Sequence, residues 1–152
     1  MKQDKKRFLE MSIIQTKKVL TDLIEQESRS YNLYYQYKSQ LADFKKMPII
    51  TKFNDITVKY IAARNVLNIK NSLYISVEVA NEMAQQQLIY RTQLSDLHSD
   101  ENVKKYVLAL SGQKETKILC MFLTEERYRC EKFLEKAQKK LKKLTKSNAL
   151  VK

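Results

Sequence analysis

The chain has 152 residues, 43% of them apolar, and a formal net charge of +12; this length suits one domain and this apolar content fills a core, which excludes a disordered chain. Gly112 and Pro48 are the only glycine and proline, where average usage gives about ten and about eight, so hairpin-rich sandwiches, barrels and doubly wound sheets are excluded. One glycine also excludes phosphate-cradling Gly-rich loops, and one histidine, His98, excludes a two-histidine zinc helix.

In chain order, apolar residues at Phe8, Leu9, Ile13, Leu20, Leu23, Ile24, Tyr31, Tyr34, Tyr35, Leu41 and Phe44 recur at three and four. That spacing predicts one amphipathic helix over residues 8–44. Met47-Pro48 ends it, because proline disfavours the α conformation before it and suits the first turn of the next helix. A second periodic run extends from Ile49 through Phe53, Ile56, Tyr60, Ala63 and Leu67 to Leu88 and Leu94. Asn68, Asn71 and Ser72 offer a cap within it, yet no Gly or Pro marks a break. Ser99 or Asp100 then caps a last helix from about Asn102 to Lys146, with acidic residues in its first turn.

The fold expected is therefore all-α, a long antiparallel helical bundle forming a single domain of residues 1–152. Three long helices of matched length are preferred, and a four-helix bundle with a break near residue 71 is the alternative. The choice has an electrostatic consequence. Residues 1–20 hold six basic and two acidic side chains and residues 130–152 hold eight and two, so +10 of the +12 lies in the ends. Three helices of roughly 65–75 Å would hold those ends apart; four would bring them together.

On the terminal helix Phe133, Ala137, Leu141 and Leu144 form an apolar stripe, flanked by Lys132, Lys136, Lys139, Lys140, Lys142, Lys143 and Lys146. With Lys5, Lys6 and Arg7 at the other end, these are the candidate anion-binding residues, suited to an anionic membrane surface or a phosphate backbone. Lysines at a helix C-terminus also suit the macrodipole, which is the competing explanation. With 23 Lys against 6 Arg, any nucleic-acid binding is expected to be independent of sequence. Tyr31, Tyr34 and Tyr35 are the candidate interface for self-association or a partner helix.

Chemistry-bearing residues are sparse. His98, beside Asp96, Ser99 and Asp100, reads as a hydrated turn residue, and Cys120 and Cys130 as reduced buried thiols, about 15 Å apart on one helix and too far for a disulfide. Glu27, Glu82 and Glu115 on helices resemble the ferritin-like arrangement, but Ile118 stands where that family places histidine. What the resemblance implies is at most a metal-free relative. Three long helices with basic ends also resemble the membrane-bending BAR modules, in helix number and charge alone.

The functional expectation is a non-catalytic scaffold or interaction protein without cofactor, docking on an anionic membrane through its Lys-rich ends and associating with itself or a helical partner. A sequence-independent nucleic-acid binder is the alternative. No small-molecule substrate is evident. The N-terminus lacks an apolar signal region and the longest apolar run, residues 118–123, is too short to span a membrane, so a cytoplasmic or membrane-peripheral location is expected.

Overall fold

A computed structural model describes residues 2–68 and 75–151. Among these the chain forms four helices and no strand: α1 Lys2–Phe44, α2 Pro48–Val66, α3 Val77–Leu97 and α4 Glu101–Val151. Met47 is extended (φ −80°, ψ 130°) and Pro48 opens α2, as the steric effect of proline on its predecessor requires. Asp100 caps α4: one carboxylate oxygen accepts from the amides of Asn102 (2.8 Å) and Val103 (3.2 Å).

The second periodic run is divided, as the four-helix alternative has it, and the single unbroken helix does not form. α2 closes where the Leu67 amide donates to the Ala63 carbonyl and the Asn68 amide to that of Asn65. α3 begins at Ser76, whose Oγ accepts from the Val79 amide at 3.2 Å. Of Asn68, Asn71 and Ser72, which the sequence offers as a cap, Asn71 and Ser72 lie outside the described residues. Asn65 and Asn68 carry short polar side chains that compete with helical backbone bonding, so a helix ends here without Gly or Pro.

The chain divides into two compact units, Gln36–Gln113 and Met1–Tyr35 with Lys114–Lys152. In the first, Leu41, Ile50, Phe53, Val103, Tyr106 and Ala109 are buried together, with Tyr37, Phe44, Leu94 and Leu97 packed on them. Leu94 and Leu97 from the end of α3 pack on the cluster that holds Ile50 and Phe53 from the start of α2, and the His98 ring after α3 meets Phe53, so these two helices are antiparallel. Phe44 and Phe53 meet the Tyr106 ring edge-on at 6.0 and 6.1 Å. The lone glycine has a packing reason here: a Cβ on Gly112 would come within 2.5 Å of Cζ of the Tyr37 ring.

The second unit pairs the first 35 residues with the last 39 in antiparallel register. Glu27 on α1 receives hydrogen bonds from Arg127 and from Thr124 Oγ1 (3.1 Å) on α4, the Tyr31 and Thr124 hydroxyls share a hydrogen bond (3.1 Å), and Cys130 Sγ lies 3.8 Å from the Thr16 carbonyl oxygen. Ile13, Ser30, Thr116, Cys120, Leu123 and Ala137 are buried in this unit. The carboxylates of Glu27 and Glu131 hold the Arg127 guanidinium above its ordinary range.

The two thiols differ in environment. Cys120 is buried, and desolvation, then the charge of Glu27, raises its pKa; Cys130 is half-buried. We expect N-ethylmaleimide at neutral pH to modify Cys130 at least about tenfold faster than Cys120, since the thiolate is the reacting species. Mass spectrometry of a labelling time course checks it, and equal rates would contradict the burial of Cys120.

Candidate anion-docking end

A pair of helices has one seam to bury, so much of the apolar surface of the second unit stays in water. Phe8 is 71% exposed, Met11 62% and Phe133 53%, although sequence spacing places Phe8 and Phe133 on apolar stripes. These residues flank the basic ends. Antiparallel pairing brings the second turn of α1 beside the last turns of α4, and the two clusters expected from sequence meet. Lys5, Phe8 and Leu9 from α1 and Lys140, Lys143 and Leu144 from α4, with Asp4, line one groove of about 660 Å³. The ends are therefore joined, which corrects the separation that three helices would have imposed.

Of the ten candidate anion-binding residues, Lys5, Arg7, Lys132, Lys136, Lys139, Lys140, Lys142, Lys143 and Lys146 are exposed and Lys6 is half-buried. Among the described residues, Lys139 is the one of these in an ion pair, with Glu135 at 3.3 Å. Lys132 lies 5.2 Å from the centroid of the Tyr128 ring, and Tyr128 raises its pKa. Phe133 stands seven residues before Lys140, two turns back on the same side of α4. Exposed aromatic rings thus stand among exposed ammonium groups along α4.

The tyrosine candidates divide. Tyr31 is half-buried and hydrogen-bonded to Thr124, Tyr34 is half-buried, and Tyr35 is 59% exposed. A larger exposed apolar patch lies elsewhere: Ile118 at 61%, Met121 at 64% and Phe122 at 57%. Its sequence signal is the unbroken apolar run 118–123, which exceeds what one seam can cover, so that Cys120 and Leu123 turn inward and the others outward.

The His98 ring packs edge-on against Phe53 at 5.3 Å, and the neighbouring Ser99 hydroxyl donates to the Asp96 carbonyl at 2.6 Å. Among the described residues no three His, Cys, Asp or Glu side chains converge to hold a metal, and Glu27 is engaged by Arg127. No helix among them is long and apolar enough to cross a membrane. Comparison of the chain with protein-family models, with curated proteins and with solved structures gave no match.

Proposed function

We propose that the chain is a non-catalytic helical interaction protein that docks on an anionic membrane surface through its joined basic ends. The observation that carries this reading is the meeting of Lys5, Lys140 and Lys143 around an apolar groove beside exposed Phe8. Ammonium groups supply long-range attraction to acidic head groups, and aromatic rings between them supply the short-range insertion that a phosphate backbone does not reward. The last turn of α4 holds no basic residue, so the helix macrodipole does not account for its lysines. The exposed patch of Ile118, Met121 and Phe122 supports the second half of the reading, association with another copy or with a partner helix, since contiguous apolar surface marks interfaces.

The test is co-sedimentation with phosphatidylglycerol vesicles across a salt titration, beside gel shifts with random-sequence DNA and RNA. Pelleting with anionic but not neutral vesicles, weakening with salt, is the expected result. Binding to nucleic acid without pelleting would replace this reading with that of a sequence-independent nucleic-acid binder. Binding to neither at low salt would overturn both.

A further inference from the structure

We infer that the groove between the start of α1 and the end of α4 is a binding site for one single-chain anionic amphiphile, its alkyl chain on Phe8, Leu9 and Leu144 and its acidic head among Lys5, Lys140 and Lys143. This deepens the membrane reading, on which it rests for the class of ligand. The groove of about 660 Å³ lies within the range of small-molecule sites. Its lining carries three cations and one anion, Asp4, a net charge of +2. That charge matches an alkyl phosphate, which carries about −1.5 to −2 near neutrality, and accommodates a carboxylate.

The chemistry of the lining selects among occupants. Inorganic phosphate satisfies the lysines and leaves the Phe8 ring, 71% exposed, in water. A neutral detergent covers the ring and leaves three ammonium groups without a counter-charge. Only a molecule with both parts engages the two halves of the groove together, and a single chain fits a cleft made by two helices. Lys5, Lys140 and Lys143 are exposed and in no ion pair among the described residues, so head-group binding breaks no existing bridge.

Titration calorimetry of the full chain with dodecyl phosphate below its micelle concentration tests the site, with decyl phosphate, inorganic phosphate and dodecyl maltoside alongside. One dodecyl phosphate per chain is expected. Removing two methylenes should weaken binding roughly tenfold, and the maltoside should bind at least about tenfold more weakly for lack of charge. Phe8→Ser and the double variant Lys140→Gln/Lys143→Gln alter exposed side chains, and each should lose roughly tenfold with helicity retained by circular dichroism. Uptake of several molecules per chain with no chain-length dependence, or unchanged affinity in both variants, would overturn the site. Sedimentation of the same preparation with phosphatidylglycerol vesicles separates the two claims. Pelleting without dodecyl phosphate binding overturns the groove and leaves membrane docking intact; dodecyl phosphate binding without pelleting supports the groove and overturns docking.

Discussion

Replacing Lys5, Lys140 and Lys143 together by alanine should lower affinity for phosphatidylglycerol vesicles about a hundredfold. Each basic residue near an anionic surface is worth about 1 kcal/mol, and three together give about 3 kcal/mol, or two decades in affinity. The three act as a unit because they line one groove. A control with the same loss of charge is Lys38→Ala/Lys52→Ala/Lys59→Ala, three exposed lysines of the other unit. That variant should lose less than about tenfold, because none of the three lines the groove. Co-sedimentation reads both. Equal losses in the two triples would mean that vesicles sense net charge rather than the assembled basic end.

A loss of comparable size, in stability rather than binding, is expected from Ile50→Ala. Ile50 is fully buried against Leu41, Phe53, Val103, Tyr106 and Ala109. Removing three carbons there forfeits their transfer free energy and leaves a cavity, at a cost of about 2–5 kcal/mol. Among the described residues the buried cluster has six members, so this is a large share of the roughly 5–15 kcal/mol by which a domain is stable. Phe8→Ser provides the contrast: a larger apolar side chain is removed, but from a position 71% exposed, and stability should stay within about 0.5 kcal/mol. Urea unfolding followed by circular dichroism measures both. An unchanged midpoint for Ile50→Ala would contradict the core assignment, and a large shift for Phe8→Ser would mean that its ring is structural.

The helical class, the Met47-Pro48 boundary and the cap at Asp100 were legible because each depends on local sterics or hydrogen bonding within a few residues. The division of the second run was harder to place. Its starting cap, Ser76, reads from sequence as one more polar residue, while Asn71 and Ser72 drew attention by clustering. One chain reversal decides whether the basic ends meet. Contacts made across about a hundred residues were not legible: the hydrogen bonds from Arg127 and Thr124 to Glu27 depend on helix pairing and register. Sequence spacing reveals partners three or four residues away, as with Arg127 and Glu131. Periodicity likewise marked Phe8 and Phe133 as apolar without saying that a two-helix seam would leave both in water.

The joining of the two basic ends underlies both the docking reading and the groove, and one distance tests it. Spin labels at cysteines replacing Lys5 and Lys142, in a background with Cys120 and Cys130 changed to serine, report the separation between the start of α1 and the end of α4 by pulsed dipolar spectroscopy. Packed antiparallel helices lie about 8–10 Å apart, and with the label tethers a distance below about 25 Å is expected; a distribution centred at about 50 Å or more, as an unbroken second helix would impose, would contradict the joined basic end.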